Sequence, residues 1–183
     1  MEGQKLVIII NGKGGSGKDT ICDVLYKHHP IRNTSTITKV KAAAGVLGWN
    51  DDKTYAGRKF LSDLKDLWTK YNDGPLNYAY NVYKMFVNTS AYRNRILVIH
   101  VREPEEIKKL KTAIEKDGRV PCKTLLITSE HTEKLSYGNH ADDMINDYLY
   151  DFIYHNDGPL ETIDHDFMNF FYKYIAPSWQ ESH

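Results

Sequence analysis

The densest chemistry in the chain lies in one short run, Gly12-Lys13-Gly14-Gly15-Ser16-Gly17-Lys18-Asp19-Thr20. Its spacing is G-x-x-x-x-G-K, and it stands between a β-branched run and a helical pattern, the context that gives this motif meaning. Glycines let the backbone bend so that successive N–H groups converge on phosphate oxygens, and the start of the following helix adds partial positive charge. Lys18 is placed to bridge the β- and γ-phosphates, and Lys13 is a second cation within reach of the same charge. An unliganded strand-to-helix turn would need neither the lysine nor this spacing, so the run points to ATP with Mg²⁺. One position departs from the usual pattern. The residue after the lysine is ordinarily a Ser or Thr whose hydroxyl ligates Mg²⁺; here it is Asp19, and the hydroxyl follows at Thr20. Asp19 and Thr20 are therefore the candidate metal ligands, Asp19 directly or through water. The alternative for Asp19 is an acidic first-turn residue favoured by the helix dipole.

Two arginines are the further candidates for handling phosphate. Arg102 follows the run Arg95–Val101, at the carboxyl end of a buried strand, the edge where α/β sheets hold ligands. Arg58 lies on the polar side of an amphipathic helix, with Ser62 and Lys65 on nearby rows. It can grip a monophosphate through a two-pronged fork, or serve only as a solvated surface residue.

The elements that must position these groups follow from periodicity. Lys5–Asn11 is an uninterrupted apolar run ending at the glycines, as in a strand buried on both faces. Thr20–His29 reads as a helix closed by Pro30. Thr34–Val40 is expected as a second strand and Ala42–Leu47 as a short helix. Ala56–Tyr71 sets Phe60, Leu61, Leu64, Leu67, Trp68 and Tyr71 on one stripe, and a further helix runs from Asp73-Gly74-Pro75 to about Val87. Arg95–Val101 is a strand, and Pro104 opens a helix ended by Gly118. Cys122–Thr128 and Asp151–His155 are the last strands, and a final helix starts near Pro159. Strands alternating with helices imply right-handed crossovers. The expected fold is three-layer α/β/α with a five-stranded parallel sheet, one domain over 1–183. Within it, a substrate-binding helical insertion spans about 41–90 and a lid about 129–146. Asn-Asp-Gly-Pro-Leu occurs at 72–76 and again at 156–160. The flanks do not match, so both copies are read as helix starts rather than a duplication.

Bulk properties narrow the function. Lys+Arg and Asp+Glu each number 24, so no net field recruits duplex nucleic acid. A hydrophobic fraction of 41% with 13 tyrosines belongs to a folding chain, not a disordered one. Cys22 and Cys122 lack metal-type spacing and read as reduced core thiols. The apolar run Leu6–Ile10 is too short for a signal segment or a membrane span, which points to the cytoplasm.

The segment Gly17-Lys18-Asp19-Thr20 resembles the phosphate loop of phage-type deoxynucleoside monophosphate kinases, and more loosely that of phosphomevalonate kinases; adenylate kinases are similar here too. Ser35 to Gly48 followed by Gly57-Arg58-Lys59-Phe60-Leu61 resembles the substrate-side helices of those enzymes. Ile99-His100-Val101-Arg102-Glu103-Pro104-Glu105-Glu106 resembles their Asp-Val-Arg-x-Pro-x-Glu segment. Asn156-Asp157-Gly158-Pro159-Leu160-Glu161 resembles the turn after their last strand. The resemblance implies a P-loop kinase moving the γ-phosphate of ATP to a (deoxy)nucleoside monophosphate; whether the chain is a monomer or homodimer the sequence leaves open. Lys18, Arg102 and Arg58 would be its catalytic cations and Gly12–Thr20 its nucleotide loop. The 155–159 turn would lie beside the adenine. His100 stands where the family has Asp, so Glu103 or Asp19 would have to supply the acid. The lid offers Lys134, His131 and His140 in place of arginines. Tyr55, Tyr71, Tyr78, Tyr80 and Tyr83 can stack on a base or fill a core. The alternatives are a P-loop kinase of another phosphorylated metabolite, and a nucleotide-binding regulatory module without transfer.

Overall fold

The structure is a computed structural model that describes residues 4–90, 93–133 and 145–182. Five strands form one parallel sheet: β1 (Leu6–Asn11), β2 (Ile31–Ser35), β3 (Ile96–His100), β4 (Cys122–Thr128) and β5 (Phe152–His155), in the order β2-β3-β1-β4-β5. The helices are α1 (Lys18–His28), α2 (Thr38–Val46), α3 (Tyr55–Asn72), α4 (Gly74–Val87), α5 (Pro104–Asp117), the single turn α6 (Glu130–Glu133) and α7 (Ile163–Phe170).

β1 is central, and every residue from Leu6 to Asn11 is buried. Alternation divides its side chains between two cores. Leu6, Ile8 and Ile10 join Ile21, Leu25, Phe167 and Phe171 beneath α1 and α7. Val7 and Ile9 join Val82, Phe86, Ile107 and Leu110 beneath α4 and α5. This is the expected three-layer α/β/α arrangement. Cys22 and Cys122 are free buried thiols, one in each core.

Three expectations need correction. The second strand ends at Ser35, and Thr38 already opens α2. A pair of hydroxyl turns breaks the strand: Ser35 N donates to Thr38 Oγ1 at 3.1 Å and Ile37 N to Ser35 Oγ at 3.3 Å, which favours turn over ladder. The stripe on α3 is not wholly buried either, with Leu67 66% and Tyr71 82% exposed. This helix packs on α2 and α4 rather than spreading over the sheet. The two Asn-Asp-Gly-Pro-Leu copies also differ. The first opens α4 with Pro75 in its first turn, after the left-handed Asp73. The second forms a turn in which Thr162 N bonds to Pro159 O at 3.1 Å, and α7 starts only at Ile163.

Candidate functional site

The phosphate loop leaves the carboxyl end of β1 and enters α1 at Lys18.

 Gly12 there has φ 153°, and a side chain on it would strike the Ile127 carbonyl oxygen. Gly17, the last residue before α1, has φ 88° and lies against the Asn156 side-chain amide, so a Cβ has neither the conformation nor the room. Lys18 Nζ donates to the carbonyls of Gly12 at 2.6 Å and Lys13 at 2.7 Å, which curls its side chain back over the loop.

Two asparagines hold the loop from outside the motif. Asn11 Oδ1 accepts from Gly12 N at 2.8 Å, and its amide donates to Arg102 O at 2.9 Å and to the Tyr150 hydroxyl at 2.8 Å. Asn156, just past β5, donates to Ser16 O at 3.1 Å. Ser16 Oγ is buried and has no hydrogen-bond partner among the described residues. An orphaned hydroxyl inside a cradle of backbone N–H groups fits a phosphate-bearing ligand. Asp19 and Thr20 begin α1, and among the described residues no group of three or more His, Cys, Asp or Glu converges as for a resident metal.

Facing the loop is a cavity of about 470 Å³ at the carboxyl edge of β1, β2 and β3. Gly14, Gly15, Lys18, Asp19 and Arg102 line one part of it, and Asn33, Ser35, Thr36, Thr38 and Lys41 another. Lys65 and Glu103 close the far wall. Lys65 Nζ lies 2.6 Å from Glu103 Oε1 and 3.0 Å from Glu106 Oε2, and this pairing lets an ammonium sit only 7% exposed. Burial works against the Glu103 carboxylate, but the Lys65 charge and hydrogen bonds from Glu106 and Lys65 hold it below its ordinary range. Glu106 is pushed up to about 7 by burial and then by the Glu103 charge, with Lys65 opposing. His100, at the end of β3, is lowered to about 4 by burial, with Lys18 and Arg102 adding and Asp19 opposing. It is a neutral imidazole, its Nε2 3.5 Å from Cys22 Sγ. A larger depression of about 740 Å³ lies around Leu6, Pro121 and Trp179 at the opposite edge of the sheet and contains no residue of the motif.

The structure thus brings the loop, Asp19 and Arg102 to one cavity. Arg58 is exposed on α3 and does not line it. Lys65 does, seven residues further on and therefore on the same side of the helix. That spacing was the available signal for Lys65; nothing local marked Asn11, and Asn156 was marked only as the start of a turn, not for its bond to Ser16 O far along the chain. The tyrosines also fall elsewhere: Tyr55 and Tyr71 are 81% and 82% exposed, while Tyr80 and Tyr83 stack at 5.6 Å between centroids in the core region. The expected lid begins as α6, where Thr132 approaches Gly15, but Lys134 and His140 lie outside the described residues.

No protein-family model matches the chain, and no curated protein sequence matches it. Solved structures do resemble it. A "putative kinase" from Chloroflexus aurantiacus aligns over 95% of this chain and 99% of its own, with TM-score 0.55 and 11% identity. The protein APE1195 aligns over 96% and 98%, with TM-score 0.50 and 14% identity. The APS kinase CysC of Mycobacterium tuberculosis, in complex with AMPPNP and APS, aligns over 91% and 97% at TM-score 0.47 and 11% identity. At these identities the likeness shows the fold alone, the three-layer α/β/α arrangement around a five-stranded parallel sheet.

Proposed function

We propose that the chain is an ATP-dependent phosphotransferase that moves the γ-phosphate of ATP–Mg²⁺ to a phosphorylated small molecule, a (deoxy)nucleoside monophosphate in the leading reading. The observation that carries it is the placement of Lys18 and the loop against a cavity that also holds Arg102, Lys41 and Lys65. Phosphoryl transfer needs positioned cations around the moving charge more than it needs a covalent catalyst. Gly12–Thr20 would hold the triphosphate, with Asp19 and Thr20 toward Mg²⁺, and Arg102 would neutralise charge between donor and acceptor. Arg58 reaches the acceptor only if the start of α3 moves toward the cavity. Bound ATP would supply the phosphoryl group; Asn11 and Asn156 keep the loop in shape to receive it.

A second reading, a kinase of another phosphorylated metabolite, is supported by the wall that Asn33, Ser35, Thr36, Thr38 and Lys41 form, where no phenylalanine, tyrosine or tryptophan stands to stack on a base. One assay separates the two. ADP release is coupled to a readout with ATP–Mg²⁺ against every ribo- and deoxyribonucleoside monophosphate and a set of sugar phosphates. Stimulation by one or a few, reduced at least about a hundredfold by Lys18→Ala, is the expected result. ATP binding with no stimulation by any acceptor would leave a nucleotide-binding regulatory module and end the kinase reading.

A further inference from the structure

Asn11 is the last residue of β1 and falls, by alternation, on the face of Val7 and Ile9, above the core beneath α4 and α5. It is buried, and both polar atoms of its side-chain amide are engaged. The oxygen accepts from Gly12 N, the first N–H of the phosphate loop; the nitrogen donates to Arg102 O and to the Tyr150 hydroxyl. An amide is the side chain that accepts at one end and donates twice at the other. Turning it over would set N–H against N–H at Gly12 and oxygen against oxygen at Arg102, so its orientation is fixed.

This planar group stands where the ladder runs out. Val101 N still bonds to Ile10 O at 3.2 Å, but β3 has ended at His100 and the chain turns into α5 at Pro104. The Asn11 amide extends the contact between the two strands to Arg102, and the same amide holds the start of the loop. Its second N–H is buried and needs the Tyr150 hydroxyl. Tyr150 lies between the expected lid and β5, and its buried ring meets that of Tyr148 edge-on at 5.0 Å. We propose that Tyr150 is a positioning residue whose hydroxyl, through the Asn11 amide, sets Arg102 against the phosphate loop. Its consequence for catalysis rests on the kinase reading: the hydroxyl governs transfer to the acceptor while touching neither substrate.

Tyr150→Phe keeps the ring and removes only the hydroxyl. It should lower kcat/KM for the acceptor about tenfold, with the circular dichroism spectrum unchanged and the affinity for a non-hydrolysable ATP analogue held within about twofold. In an Asn11→Ala background the same substitution should cost less than about twofold, because the hydroxyl then has no amide to hold. A further readout needs no turnover. The Nε–Hε signal of Arg102, assigned with Arg102→Lys, should show a lower heteronuclear NOE in Tyr150→Phe as the side chain gains motion. An unchanged Arg102 signal overturns the proposal. So do effects of the two substitutions that simply multiply, or a loss of analogue affinity that matches the loss of rate. A wild type that no acceptor stimulates would end the kinase reading, and the arginine signal would still decide the positioning.

Discussion

Glu106 sits between a carboxylate and an ammonium, and the geometry gives its proton a job. Glu103 Oε2 is buried with no donor among the described residues, and Glu106 is the adjacent carboxyl group. A proton on Glu106 joins the two carboxyls and leaves Lys65 one full charge to balance. Because its value is raised from 4.5 to about 7, this contribution to stability is complete only below 4.5 and is lost as pH rises from there through about 7. His100 acts in the opposite sense: its lowered value means that stability falls as pH drops from about 6.5 toward 4. The two windows overlap, so a difference between proteins isolates Glu106. Melting temperatures of wild type and Glu106→Gln should match near about pH 4, and the variant should be the more stable near about pH 8. Parallel curves across that range would remove the shared proton.

Among the elements, α3 has the clearest start. Thr54 Oγ1 accepts from Gly57 N at 3.2 Å and itself donates to Asp52 Oδ2 at 2.7 Å, while Asp52 Oδ1 accepts from Thr54 N at 2.8 Å. Removing that cap with Thr54→Ala should cost about 1 kcal/mol in denaturant unfolding. If Arg58 serves the acceptor, the frayed first turn should also raise the acceptor KM several-fold with the ATP KM unchanged; equal KM values would place Arg58 outside the reaction. The positions of α1, α3, α4 and α5 were legible from the sequence because caps and periodicity are local, whereas α2 and α7 start about four residues from where they were expected. β4 matches its expected span, and α5 ends at Gly118 in the left-handed conformation. β2 was misjudged because Thr34–Val40 has strand-like residues, while its ending depends on side-chain-to-backbone bonds within Ser35–Thr38. The α3 stripe announced an apolar face correctly, but periodicity cannot say whether the chain itself covers that face.

At the scale of the molecule, the sheet divides the interior into two cores, each holding one cysteine whose thiol burial pushes up to about 12. Neither thiol should react with a disulfide reagent in the native protein, and both should become reactive together as denaturant unfolds the chain. Reaction of one thiol well before the other would show that the layers open separately. The layered fold and the phosphate loop could be read from Leu6–Thr20 and the alternation of elements, since a strand, a glycine turn and a helix are contiguous there. The cavity's remaining walls could not, because Lys65, Glu103 and Asn33 meet only through the crossovers. The same holds for Asn156, which grips the loop across 140 residues of chain. That distance orders events during synthesis. A ribosome that has released the first strand, the glycines and α1 has exposed every residue of the motif but not the amide that steadies it. If the loop takes ATP as proposed, the nucleotide binds the finished chain more tightly than the growing one and so favours the completed sheet.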